Sequence, residues 1–379
     1  MKAYSTLFSG GMDPATFEKI RAISPNFICI FFSSQKVNGP ILKSISESFK
    51  GITVIGCSTA GEISDDKMAD DSISLLAVNF EKTKIKAAGV KIASADACYE
   101  QSRTLAQTLA GEDLAGVFIL APGLNVNGSA ITRGFSSVLG SKVSISGGLA
   151  GDKTSFLKTH TLLNGEISEN SLVAVGFYGK HIKIGTGSKG GWAPFGPARR
   201  VTKSDGNILY ELDDKPALDL YKQYLGDKAD QLPYSGLLYP FSILEDDQSE
   251  TGLIRTILDV NHERKSLILA GDMPEGKLVR LMHADVDQLI VGAENAAEEA
   301  NLGEPGHVTS VALLVSCVGR KLVMADDVIE EVEAVQHVLG PCTRMAGFYS
   351  YGEICISDVT KAAELHNQTM TITQLSESP

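Results

Sequence analysis

Apolar positions in this chain follow two alternating rhythms. Continuous apolar runs of strand length occupy 27–33, 52–56 and 116–120. Between the first two, 40–49 places Ile41, Ile45 and Phe49 on one face, the spacing of an amphipathic helix. Further helices are predicted over 99–109 and 130–139. Further strands are predicted over 72–80, 85–92, 143–145, 159–163, 172–178 and 182–185. Strand–helix–strand units give parallel pairs with right-handed crossovers, whereas consecutive strands need antiparallel partners. A mixed sheet is expected.

From 190 to 214 the chain is rich in Gly, Pro, Arg and Lys and reads as a junction, a candidate hinge or clasp. A helix over 216–225 follows, with strands over 253–260, 266–270 and 277–282. Asp285 caps the clearest helix: Val286, Leu289, Ile290, Ala293, Ala297 and Ala300 share one face, and Gln288 holds the capping-box position. Then come a strand over 307–317, a helix over 328–339 stopped by Gly340-Pro341, strands over 344–351 and 368–373, and a polar tail. The expected class is α/β to α+β: two domains, mixed sheets covered by helices, and a partial internal repeat.

The repeat lies in two segments. Gly56-x-x-Thr59-x-Gly61-Glu62-Ile63 is matched by Gly347-x-x-Ser350-x-Gly352-Glu353-Ile354, and each closes a second strand whose partner lies one helix upstream. The segment ending Gly151-Asp152 is a weaker third copy. In open α/β sheets ligands bind beyond the carboxyl ends of strands, which makes Glu62 and Glu353 candidates for ligand contact. The alternative is a simple chain reversal whose carboxylate caps nearby amides.

Acids outnumber bases by 46 to 34, a net charge of -12, and no basic block stands out. Random nucleic acid is therefore not an expected partner. The apolar runs are too short for a membrane span, and the N-terminus lacks a signal-peptide core. Six cysteines show no CxxC pair or disulfide framework. The cytoplasm is the expected compartment.

The combined motifs resemble those of the FIST family. Gly56-Cys57-Ser58-Thr59-Ala60-Gly61-Glu62-Ile63 resembles the signature of its N-terminal domain. Gly347-Phe348-Tyr349-Ser350-Tyr351-Gly352-Glu353-Ile354, with His366-Asn367-Gln368-Thr369 downstream, resembles that of its C-terminal domain. Gly147-Gly148-Leu149-Ala150-Gly151-Asp152, Gly191-Trp192-x-Pro194-x-Gly196, Lys215-Pro216-Ala217-Leu218 and Ser316-Cys317-Val318-Gly319-Arg320 fall between them in the family's order. Asp214 departs from the family's usual Gly. The resemblance implies an N-terminal domain over 1–212 and a C-terminal domain over 213–379. It also implies a sensor of small ligands such as amino acids, acting through a separate partner such as a histidine kinase. Stand-alone proteins of this kind include nitric-oxide-sensing haemoproteins, so haem is a possible cofactor.

Haem needs an axial ligand, usually His. The histidines are 160, 181, 262, 283, 307, 337 and 366. His366, in the family-like segment, is the candidate iron ligand. Cys57, Ser58, Thr59, Glu62, Arg320, Tyr349, Tyr351 and Glu353 are the other candidate ligand contacts. Arg320 suits a carboxylate but equally an acid of the helix at Glu330. Tyr349 and Tyr351 share one face on an extended strand. A rival enzymatic reading assigns a hydrolase or transferase role to Cys57 or Glu353. The nucleophile elbow, P-loop and HExxH patterns are absent.

Overall fold

The computed structural model describes residues 1–37, 40–303, 309–357 and 359–378. Three successive stretches of chain repeat one plan: edge strand, helix, strand, helix, strand, short hairpin, strand. In the first unit these are Lys2–Phe8, Pro14–Ala22, Phe27–Ser33, Pro40–Ser48, Thr53–Thr59, the hairpin Glu62–Ser64 with Lys67–Ala69, and Ile73–Asn79. The second runs from Lys84–Lys91 through Cys98–Leu109, Leu114–Ala121, Gly128–Leu139 and Ser144–Leu149. It ends with the hairpin Thr161–Leu163 and Glu166–Ser168 and the strand Ser171–Tyr178. The third starts at Ile182–Lys189 and resumes at Val286–Ala300, Ser310–Cys317, Val328–Leu339 and Thr343–Ser350. Its hairpin is Gly352–Ile356 with Ala363–His366, and its last strand is Met370–Glu377.

Each unit makes a sheet with a parallel central pair, closed on one side by antiparallel strands. On the other side it accepts a hairpin from a neighbour. The first unit lends its hairpin to the third, the second to the first, and the third to the second. Beyond the strand ends, three backbone hydrogen bonds close the same cycle. Ala60 N donates to Tyr349 O at 2.8 Å, Gly151 N to Ser58 O at 2.9 Å, and Tyr351 N to Leu149 O at 3.2 Å. The repeat is thus threefold. Gly56, Gly147 and Gly347 face Ile30, Ile119 and Leu314 in register, and a Cβ there would sit 2.1, 2.0 and 2.4 Å from those residues' carbonyl oxygens. No larger residue tolerates that approach.

The strand patterns follow from burial on both faces, which turns alternation into continuous apolar runs. Along Phe27–Ser33, Phe27, Cys29 and Phe31 join a core shared with Phe118, Val315 and Phe348 of the other units. Ile28, Ile30 and Phe32 pack instead against Ile20, Leu42 and Ile45 of that unit's own helices.

The third unit is interrupted between its edge strand and first helix. Residues 193–283 carry all nine strands of a nine-stranded sheet with its own core around Tyr221, Phe241 and Leu281. Arg199–Asp205 and Ile208–Leu212 belong to that sheet, so much of the expected junction is ordered strand. Ile208–Leu212 pairs with Lys215–Pro216 across the expected 212/213 boundary. The expected polar tail is also strand. Met370–Glu377 is buried throughout, because its hydroxyls and amides find partners: Thr373 donates to Ser146 at 2.8 Å and Gln374 to Ser310 at 3.2 Å. Thus the class is α/β with mixed sheets flanked by helices in two domains. Among the described residues, no helix is long and apolar enough to cross a membrane. His307 lies outside the described residues.

Candidate functional site

The two Gly-Glu turns occupy equivalent places. Glu62 faces Phe348, Glu353 faces Gly148, and Thr161 takes the same position opposite Cys57. Both carboxylates are buried and held by the same set of donors. Glu62 accepts from the Thr59 hydroxyl, from Ser72 N at 2.8 Å and from Ser72 Oγ at 2.7 Å. Glu353 accepts from Ser350 Oγ at 2.5 Å, Thr369 N at 3.1 Å and Thr369 Oγ1 at 3.0 Å. Burial raises both carboxyls against these hydrogen bonds, Glu353 to about 8.

The other predicted residues distribute around this frame. Cys57 is fully buried in the shared core, and burial pushes its thiol well above the usual range, which disfavours the nucleophilic thiolate. Ser58 donates to Gly151 O and accepts from His160 N, each at 2.8 Å. Arg320 pairs with Glu331 at 2.7 Å, both side chains fully buried, rather than with Glu330. It also donates to the carbonyls of Gly190 and Leu289. Tyr349 donates to the same Glu331 at 2.6 Å. Tyr351 does not share its face. The strand ends at Ser350, and the Tyr351 hydroxyl reaches Asp152 while its ring stacks on Phe156 at 4.5 Å.

His366 alone among the predicted residues lines a cleft of about 760 Å³, a volume suited to a small ligand. The cleft lies between the inserted sheet and the third unit. Its walls are Thr186 to Trp192, the strand Glu250–Arg255, one face of the helix Val286–Ala300, and Ile356, His366 and Thr369. Gly191, at φ 79°, lies so close to the helix that a Cβ would meet Gln288 O at 2.0 Å. The Trp192 indole donates to Gln368 O at 2.8 Å. Arg320 stands one layer behind, joining Gly190 and Leu289 to Glu331. Thr369 joins the cleft wall to Glu353. Among the described lining residues Glu250, Asp287 and Glu299 face one lysine, Lys189, which pairs with Glu299. The aligned Gly-Trp segment was visible in the sequence. The acidic residues at 250, 287 and 299 were not, because only folding gathers them.

The FIST N domain model matches residues 26–215 and the FIST C domain model residues 217–356. Such domains are generally small-ligand sensory domains of signalling proteins. An uncharacterised protein of Methanocaldococcus jannaschii is 25% identical over 364 residues, spanning 86% of this chain and 68% of its own. Among solved structures, a cyanuric acid hydrolase from A. caulinodans aligns over 100% of this chain and 99% of its own at 9% identity, TM-score 0.39. PurLQS from Thermotoga maritima aligns over 94% and 67% at 8% identity, TM-score 0.18.

Proposed function

The chain belongs to the FIST family, and from that premise we propose that it is a cytoplasmic sensor whose small ligand binds in the cleft around His366 and Trp192. The cleft's position carries this reading. It opens where the inserted sheet meets the third unit, and its walls are tied directly to Arg320 and Glu353. A ligand that prefers one arrangement of these walls shifts the balance between conformations. The signal then passes to a separate partner such as a histidine kinase. The excess of carboxylates favours ligands that bear an amine, amino acids among them.

Haem competes for the same cleft because His366 offers an axial imidazole. The lining does not fit it. Three carboxylates against one paired lysine repel the two propionates that haem brings. Nitric-oxide sensing through haem is accordingly the second reading.

Hydrogen exchange and thermal unfolding with an amino-acid and amine panel test the proposal. A bound ligand raises the melting temperature by mass action and slows exchange at 186–192 and 366–369. A tight ligand that leaves both segments unprotected removes the cleft from consideration. A Soret band retained through purification, and lost in His366→Ala, reinstates haem.

A further inference from the structure

Side chains alternate along a strand, and Glu250–Arg255 uses this to divide two cavities. Glu250, Gly252 and Ile254 line the cleft described above, Leu253 and Arg255 line a second cavity of about 750 Å³ on the other face, and Thr251 borders both. The opposite wall of the second cavity is the helix Gly128–Leu139, through Ser129, Thr132, Arg133 and Ser136.

Arg255 is only 5% exposed. Its hydrogen bonds run to main-chain carbonyls: Nε to Asp272 O at 2.8 Å, and Nη1 to Ile254 O at 3.0 Å and Leu365 O at 3.1 Å. Nη2 takes no part in them. Among the described residues no carboxylate lies within ion-pair distance of Arg255. The Asp272 carboxylate is engaged by Asn127 and Arg133. Burial lowers the guanidinium to about 10, so it stays charged at neutral pH. A buried arginine ordinarily has a carboxylate partner.

A second observation is independent of the first. Ser129, 7% exposed, lines the same cavity, and its Oγ has no hydrogen-bond partner. The Oγ of Ser136, two helical turns further along that wall, lacks one too. Asp272 holds the two walls together, accepting from Arg255 at its carbonyl and from Asn127, the cap of the serine-bearing helix, at its carboxylate. The rest of the lining includes the apolar side chains Ile243, Leu253 and Met273. It also includes the carboxylates Asp205, Glu245, Glu275 and Glu364, which oppose a second negative charge.

We propose that this cavity binds an apolar monocarboxylate, its carboxylate on Arg255 Nη2 and Ser129 Oγ and its hydrocarbon body against Ile243, Leu253 and Met273. Nη2 offers the carboxylate a charge-assisted hydrogen bond, the surrounding acids select against dianions, and Arg255 is the anchor because the other lining cations, Arg133 and Lys277, are paired with Asp272 and Glu245.

Calorimetric titration of the full chain with octanoate, suberate and octylamine tests this. Octanoate binds at one site per chain. Suberate, the same length with a second carboxylate, binds at least tenfold more weakly, and octylamine does not compete. Arg255→Gln lowers octanoate affinity thirtyfold or more, Ser129→Ala lowers it three- to tenfold, and Leu253→Trp, which fills the cavity, abolishes it. Where circular dichroism finds Arg255→Gln unfolded, the other two variants decide. No octanoate binding, equal binding of octylamine, or unchanged affinity in the folded variants overturns the proposal.

Discussion

Glu62 and Glu353 close the first and third units with the same three donors, while the second unit closes with Thr161 and no carboxylate. In the second unit Thr161 donates to Ser171 O at 2.7 Å. The carboxylate work there passes to Asp152, which accepts from the backbone N–H groups of Phe156, Leu157 and Lys158 and shapes an inserted loop. The carboxylates therefore act first as staples. The residues facing them across each hairpin differ more: Ala69, Ser168 and His366. In the first unit Lys321 reaches the turn, donating to Ala60 O at 2.8 Å and pairing with Asp70. In the third the turn abuts the cleft, and His366 stands in the cleft wall. Scaffold bonds repeat, and the proposed binding chemistry sits where the repeat is broken.

The third unit also carries the buried Arg320–Glu331 pair behind the cleft wall. Its loss is the largest effect expected. Glu331→Ala leaves a buried guanidinium uncompensated and should destabilise the fold by about 3–5 kcal/mol in urea unfolding. The double change Arg320→Met, Glu331→Leu should recover most of that loss, since no charge remains to be buried. A loss under about 1 kcal/mol from Glu331→Ala refutes a structural role for the pair.

The two staples differ in depth, and pH separates them. A carboxyl raised on folding holds its proton longer in the native state. Its stabilising contribution is complete below its unfolded value near 4.5 and is lost as pH rises towards about 8. The stability of the wild type relative to Glu353→Gln should therefore fall by about 1.4 kcal/mol per pH unit across that window and level off above it. Glu62→Gln should give the same sign over a narrower pH window, because burial raises Glu62 as well but less. Unfolding curves from pH 5 to 9 decide. A difference that grows with pH reverses the assignment.

Much of this frame was legible in the sequence. Apolar runs marked the central strands because parallel strands are buried on both faces. The Gly-x-x-hydroxyl-x-Gly-Glu echo marked two units because glycine and the staple are both needed at those turns. The third copy was obscured by the insertion between Asp152 and Thr161, which separates the staple position from its glycine. The hairpin exchange could not be read, since each hairpin is local in sequence but pairs with a distant unit. Arg320 offered a carboxylate clamp in sequence, yet folding spends it on Glu331. The cleft was invisible for the same reason: Trp192, Glu250 and His366 are far apart along the chain.

The contrast between Ala69 and His366 can be sharpened by substitution at both positions. His366→Ala should weaken binding of whichever amine raises the melting temperature by about tenfold, roughly 1.4 kcal/mol. Ala69→His, at the matching place in the first unit, should neither add a site nor alter that affinity. Calorimetry on both variants measures this. Equal effects would mean that position across the hairpin, rather than the cleft, governs binding.

The smallest effect concerns the unit without a staple carboxylate. There Asp152 takes one further donor, the Tyr351 hydroxyl from the neighbouring third unit. Tyr351→Phe removes that bond but keeps the ring stacked on Phe156. Three backbone donors still hold the Asp152 carboxylate, so the loss should be about 1 kcal/mol, the net contribution of one ordinary hydrogen bond. The loss should also be local. Amides of Phe156, Leu157 and Lys158 should exchange faster, because their acceptor is less firmly placed. Those of Ser72 and Thr369, held by Glu62 and Glu353, should keep their rates. Acceleration in all three turns would show that the ring of backbone bonds joining the units responds as one body. Acceleration confined to 156–158 would show that the loop built on Asp152 opens by itself, with the repeated frame left intact beneath it.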